Sequence, residues 1–283
     1  MFNIAIFIVK IQGGLGNQLF GLAFSRYLRN KNKNVKVWVD SKSSYIYEPF
    51  NRNLEISKLL KKEDLIIKNS FLIILFKFIT KLIYNIKKIS IFKKYTGFIK
   101  EESEFDESIK NNSIQYLDGY WQDKKYLNFL GKEFLEDLVK FTNLSKKKKS
   151  KKKSIIGIHY RIKNYHYKLS ENYYINSLNY ILKNIEIKDY SILIFTDDFK
   201  KAKVFFGKLH QFKKAKIICG EIINDFKLMT NCQHLIIAKS TLSWWAGIII
   251  SEKMKDSIIC RPRFFEFSPT EKLNIKRWVI IKD

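Results

Sequence analysis

The sequence predicts an α/β protein of two domains, each a parallel sheet covered by helices on both faces. Three observations predict it. Short β-branched runs alternate with helical patterns through the second half of the chain, and the first half opens with strand, glycine turn, helix and strand. Between them lies a charge block without apolar periodicity, "NLSKKKKSKKKS" from Asn143 to Ser154. Alternation of this kind places crossover helices over a parallel sheet.

In chain order, "MFNIAIFIVK" reads as a buried strand from Ile4 to Lys10, with neither a basic leader nor a small-residue cleavage site. Glycines at 13, 14 and 16 follow, then a helix from Gln18 to Leu28 and the strand "VKVWVD" from Val35 to Asp40, which complete a βαβ unit. The most apolar stretch, "FLIILFKFITKLIYNIKK" from Phe71 to Lys88, is broken by Lys77 and Lys81 before it reaches a bilayer-spanning length. It reads either as a helix packed on its domain with lysines outward or as a basic amphipathic helix lying on a membrane, a peripheral contact through 71–88. The lysine block reads as a solvated linker, 146–153, between domains at 1–145 and 154–283. After it the strands "SIIGIHY", "SILIFTD", "AKIIC", "HLIIA" and "SIIC" alternate with the helical patterns "ENYYINSLNYILKNI", "FKKAKVFFGKL", "NDFKLMTNC" and "SWWAGIII". Two Rossmann-like domains facing each other across a cleft account for this order most economically.

Composition narrows the partners. Fifty-three basic against 27 acidic residues give a net charge of +26, which suits phosphorylated small molecules or anionic lipid. The excess is lysine scattered through the chain with few arginines, so no nucleic-acid partner is expected. Cys219, Cys232 and Cys260 form no CxxC pair, which suits a reducing, cytoplasmic compartment. His159, His166, His210 and His234 show no metal-ligand spacing, and no protein-held metal is expected.

Four stretches can carry chemistry. In "KIQGGLGNQLF" the glycines allow close backbone approach, and the helix that follows offers free N–H groups to an anionic or polar ligand. No GK[ST] follows, so it is not a P-loop. A dinucleotide fingerprint fits Gly14 and Gly16 but has Leu19 at its third position, with Asp40 as the matching acid. In "GIHYRIKNY", Arg161 follows a strand and can fork onto a phosphate, or it is a surface arginine; His159 on the buried strand is more readily a structural histidine than a base. In "FTDD", adjacent Asp197 and Asp198 divide into one ligand contact and one helix cap, unless both only cap. In "IIAKSTLSWWAG", Ser240, Thr241 and Ser243 sit before a helix as a phosphate turn or an ordinary cap, with Trp244 and Trp245 in the core.

Taken in order, these stretches resemble the α-1,2-fucosyltransferase family, inverting enzymes of the GT-B fold that use GDP-fucose. "IQGGLGNQLFGLAFSRYL" looks like that family's opening signature, "LDGYWQDKKYL" like its segment ahead of the donor domain, and "GIHYRIKNY" like its H-x-R-R-x-D motif. "ENYYINSLNYI", "IFTDD" and "MTNCQHLIIAKSTLSWWAG" follow as that family has them, so the resemblance spans nearly the whole chain. It implies a GT-B-like fold with a C-terminal domain that holds GDP: Arg161 on the pyrophosphate, His159 beside it, Asp197 or Asp198 at the nucleoside, and Ser240, Thr241 and Ser243 by the phosphates. It also implies an acceptor-binding N-terminal half, with Gly14, Gly16, Asn17 and Gln18 facing the donor. Arg161 and Asn17 then become the residues nearest the chemistry.

The implied activity is that of a galactoside 2-α-L-fucosyltransferase: metal-independent transfer, with inversion, of L-fucose from a nucleotide-sugar donor to a glycan acceptor in cell-surface polysaccharide synthesis. The site implied is cytoplasmic, or peripheral on the cytoplasmic membrane face. The motif departs from the family pattern at Ile162, where a second arginine is expected, and at Asn164, where an acid is expected. A missing guanidinium removes a charge-assisted contact, so another nucleotide-sugar is an alternative donor. A dinucleotide oxidoreductase, the other alternative, explains only the glycines and Asp40. Glu101, Glu102, Glu104 and Asp118 lie in the first half and are expected at the solvated surface, leaving no base assigned.

Overall fold

The computed structural model describes residues 5–31, 35–41, 44–45, 52–61, 64–66, 98–100, 114–129, 131–142, 154–162, 168–186, 189–265 and 270–283, with 71, 74–75, 77–78 and 81–82 between them. Two units divide the chain, Met1–Phe134 and Leu135–Asp283. The lysine run expected as linker, 146–153, lies outside the described residues.

In the first unit, strand β1 (Ala5–Lys10) is an apolar run buried from Phe7 to Val9, as a strand covered on both faces must be. With β2 (Val35–Asp40), β3 (Leu65–Ile66), β4 (Phe98–Lys100) and β5 (Ile114–Asp118) it forms a parallel sheet in the order β3-β2-β1-β5-β4. Helix α1 (Leu15–Lys31) crosses from β1 to β2, buried almost continuously from Leu15 to Leu28. It begins three residues before the expected Gln18, because the Gly14 carbonyl accepts the Asn17 and Gln18 N–H groups and closes the first turn. Phe24 stacks on Trp121 with centroids 4.2 Å apart, while Arg26, 5% exposed, forks onto Asp64 at 3.2 and 2.7 Å. Burial pushes Asp64 up, but Arg26, the Lys61 N–H and Arg29 outweigh it and hold the carboxyl below its ordinary range. That clamp ties α1 to the turn entering β3.

The second unit is more regular. Helix α2 (Gly131–Thr142) contains the division between units, and β6 (Ser154–Tyr160) follows. Then come α3 (Glu171–Lys183), β7 (Tyr190–Thr196), α4 (Phe199–Gly207), β8 (Lys216–Ile218), α5 (Ile222–Met229), β9 (His234–Ile236), α6 (Thr241–Lys253), β10 (Ile259–Pro262), α7 (Thr270–Leu273) and β11 (Val279–Ile281). All six strands run parallel in the order β11-β10-β9-β6-β7-β8, which is the doubly wound arrangement.

One face of this sheet carries Ile156, Ile158, Tyr160, Ile192, Ile194 and Ile236 against α3 and α4. The other carries α6, buried from Leu242 to Ile250. Trp244 and Trp245 are core residues, fully buried, with Trp244 Nε1 donating to the Leu273 carbonyl at 2.9 Å. Gly247 lets Trp278 close on the helix, since a Cβ there would stand 2.8 Å from the indole ring.

Candidate functional site

In a doubly wound sheet, ligands bind outside the carboxyl ends of the strands where the winding reverses. In the second unit that point lies between β6 and β9. Arg161 leaves the end of β6, Asp197 leaves the neighbouring β7, and Ser240 leaves β9 to open α6.

Asp197 joins two of these ends. Its Oδ1 accepts the Ile162 N–H at 2.9 Å, and its Oδ2 stands 2.9 Å from Arg161 Nη1. The guanidinium is 28% exposed, so a ligand in solvent can reach it. Asp198 does the capping: it is in an extended conformation and its side chain accepts the Lys201 N–H at the start of α4. The two aspartates therefore diverge, as consecutive residues leaving a strand must.

Ser240 caps α6 by accepting the Leu242 N–H, and Thr241 begins the helix half-exposed. Ser243 is buried, with its hydroxyl donated to the Ala238 and Ser240 carbonyls inside the turn. The α6 N-terminus thus presents backbone N–H groups and a positive dipole end at the same edge as Arg161.

His159 points to the face opposite Ile158 and is 4% exposed. Burial, with the Arg161 charge adding to it, pushes its pKa down to about 3, so the ring is neutral at every physiological pH. Its Nδ1 has no hydrogen-bond partner among the described residues. A ring that stays neutral and buried is a poor general base.

Extending the strand register by one residue puts His159 in a row with Ile237 and Arg261. Sequence reasoning missed Arg261. It is 1% exposed and donates to the Pro262 and Arg263 carbonyls and to Asn274 Oδ1, fixing the chain after β10. Its signal in the sequence, one arginine directly after the short run Ile258–Cys260, is too slight to separate it from any surface arginine.

In the first unit the glycine turn follows β1 where the order jumps to β5. Gly13 has φ +74°, and Asn17 Oδ1 accepts the Gln122 amide at 2.9 Å. Trp121, beside Gln122, holds φ 53° under its stacking on Phe24, a strained conformation that the packed ring sustains. Gln18 is saturated within the chain, donating to the Gly13 and Asn53 carbonyls and accepting the Glu55 and Ile56 N–H groups. It braces the turn. Gly16 is buried in the first turn of α1, and Gly14 stays open, with nothing within 4 Å of a Cβ built there.

Two acids depart from expectation. Asp118 is not a solvated surface group: it is half-buried, 2.7 Å from Lys10 Nζ, with Gln12 Nε2 beside it at 3.4 Å. Asp40 is fully buried and accepts the Tyr116 hydroxyl at 2.6 Å, so the acid that kept the dinucleotide reading open lies in the core. Glu101, Glu102 and Glu104 lie outside the described residues.

Two parallel doubly wound units are the parts of a GT-B-like fold, and in the second a cation and a helix N-terminus meet at the winding reversal. The fold is similar to a glycosyl transferase family 9 structure from Veillonella parvula DSM 2008, with a TM-score of 0.50 at 12% identity, covering 100% of this chain and 87% of that one.

The profile of glycosyl transferase family 11 matches residues 4–282, and the chain belongs to that family. Two Escherichia coli proteins align over nearly their full lengths. The "O-antigen biosynthesis glycosyltransferase WbnK" is 26% identical, covering 95% of this chain and 98% of its own. An "Alpha-1,2-colitosyltransferase" is 25% identical, covering 98% and 99%. Family membership removes the oxidoreductase alternative.

Proposed function

We propose that this glycosyltransferase transfers L-fucose from GDP-fucose to the 2-hydroxyl of a galactoside-containing glycan, with inversion, in cell-surface polysaccharide synthesis. The observation that carries the reading is the Arg161 guanidinium, oriented by Asp197 at the winding reversal of the second unit. Nη1 is held by the carboxylate, and Nε and Nη2 are left to fork onto a diphosphate. The α-1,2 linkage is supported by the name of the colitosyltransferase relative and by the resemblance of the glycine turn.

Inversion requires the acceptor oxygen to attack the anomeric carbon from the face opposite the departing nucleotide. As the new C–O bond forms, the bond to the phosphate oxygen breaks and negative charge develops on the diphosphate. Arg161 and the N–H groups opening α6 stabilise that charge, with no metal in the proposed step. Ser240 and Thr241 add hydroxyl contacts to the phosphates, and the second unit holds the nucleoside. The sugar passes through an oxocarbenium-like state, so a strong base is dispensable and the acceptor hydroxyl gives up its proton to water as the new C–O bond completes. Asn17, fixed by Gln122, orients the acceptor hydroxyl.

A panel of GDP-sugars, assayed for GDP release with and without β-galactoside acceptors, tests the proposal. Acceptor-dependent release from GDP-fucose, with a product 1,2-linked by NMR, is the expected result. Release from a different GDP-sugar alone would transfer the same chemistry to that donor, and no release from any of them would overturn the proposal.

A further inference from the structure

The stretch 71–88, read either as a helix packed with its lysines outward or as a basic amphipathic helix on a membrane, turns apolar side chains outward in its described part, and 83–88 lie outside the described residues. Phe71, Ile74, Leu75, Lys77, Phe78, Lys81 and Leu82 are helical. The five apolar side chains are 70, 41, 44, 65 and 50% exposed for Phe71, Ile74, Leu75, Phe78 and Leu82. Lys77 turns inward instead, half-buried, with its Nζ 5.8 Å from the centroid of the buried Tyr116 ring.

With each helical residue turning by about 100°, the five apolar positions fall within an arc of about 100°, and Lys77 and Lys81 border it on one side. Isolated exposed apolar residues are ordinary, but a contiguous stripe marks a surface that meets something. The surrounding sequence says what. From Leu65 to Lys100 there are eight lysines and no acidic residue, in a chain of net charge +26. An apolar stripe bordered by the exposed Lys81, in a stretch of sequence rich in lysine and without an acid, is complementary to an anionic lipid surface, where the stripe enters the acyl boundary and ammonium groups meet headgroup phosphates. Among the described residues no helix is long and apolar enough to cross a membrane.

We infer that this stripe, Phe71, Ile74, Leu75, Phe78 and Leu82 with Lys81 at its border, docks the enzyme on an anionic membrane surface. The inference is independent of which sugar is transferred.

The test is co-sedimentation of the full chain with vesicles of 30% phosphatidylglycerol in phosphatidylcholine, and with pure phosphatidylcholine. The wild-type chain should pellet with the anionic vesicles and be released by 0.5 M salt. Phe71→Ser combined with Phe78→Ser should weaken that binding at least tenfold, and Lys81→Glu at least threefold. Both variants should keep wild-type melting and, with a soluble acceptor, wild-type turnover. Wild-type binding retained by the double variant would overturn the inference, as would equal binding to neutral vesicles. So would retention of a short oligonucleotide in preference to vesicles, or a dimer that the double variant dissolves without any vesicle binding.

Discussion

Replacing Arg161 by alanine removes the proposed diphosphate contact and at the same time strips Asp197 of a cation 2.9 Å away. With the two side chains 28% and 18% exposed, water screens part of the attraction. Such a pair contributes about 1 kcal/mol at most to folding, so the melting temperature should fall by no more than about 4 °C. Binding should suffer more. Hydrogen bonds to a charged group contribute about 1.5 to 3 kcal/mol, which predicts GDP affinity roughly 10- to 150-fold weaker. Part of that loss is the uncovered Asp197 carboxylate facing a diphosphate of like charge. Asp197→Asn removes the charge and keeps an oxygen for the Ile162 N–H. Residues sharing one ion pair couple by about 0.5 to 3 kcal/mol, so adding it to Arg161→Ala should restore roughly three- to tenfold of the affinity. Calorimetric titration of GDP into the four proteins of this cycle measures each quantity. An Arg161→Ala chain that binds GDP within twofold of wild type would refute the assigned role, and strictly additive losses would refute the coupling.

The remaining expectations concern the turn, the clamp and the buried histidine. Asn17→Ala, which removes the acceptor of the Gln122 amide, should slow transfer roughly tenfold while GDP affinity stays within twofold; equal losses in both would count against an acceptor-side role. Gly13→Ala forces φ +74° on a residue with a Cβ only 2.8 Å from Asn17 Nδ2 and should cost about 1 to 2 kcal/mol in urea unfolding. Asp64→Ala leaves Arg26 buried without its carboxylate and should destabilise by about 3 to 5 kcal/mol, whereas a loss under 1 would contradict the buried clamp. His159 titrates ordinarily at 6.5 and here at about 3, so between those values the unfolded chain binds the extra proton. Stability should be full above pH 6.5 and fall by about 1.4 kcal/mol per unit below it, with His234, lowered by burial, adding to the same limb. His159→Asn should flatten that limb in unfolding titrations between pH 4.5 and 7; an unchanged slope would show that His159 is not buried neutral.

The elements themselves were legible. "SIIGIHY" and "VKVWVD" are strands at the predicted residues, and the caps at Asp198 and Ser240 are where short polar side chains meet a helical pattern. Their causes are local: β-branched runs, apolar periodicity and a side-chain oxygen two or three residues ahead of the N–H it accepts. Helix α1 starts three residues before its pattern does because the Gly14 carbonyl, rather than any side chain, closes its first turn.

What could not be read is the partner of each polar group. Asp118 looked like one more surface acid until β5 came to lie beside β1 and brought it to Lys10, 108 positions away. Gln18 looked free to meet a ligand until residues 53–56 closed over it. The lysines of the 71–82 stretch fit an outward face by pattern alone, yet Lys77 lies over Tyr116. The sequence by itself determined the parallel α/β class, the glycine turn, the helix caps and the strand-end position of Arg161. Only the tertiary structure decided that Asp197 orients Arg161, that Gln122 fixes Asn17, and which face of the apolar stretch meets solvent. The physical reason is that periodicity and capping act within one turn or one strand, whereas hydrogen-bond partners far apart in the chain are chosen by strand order and register.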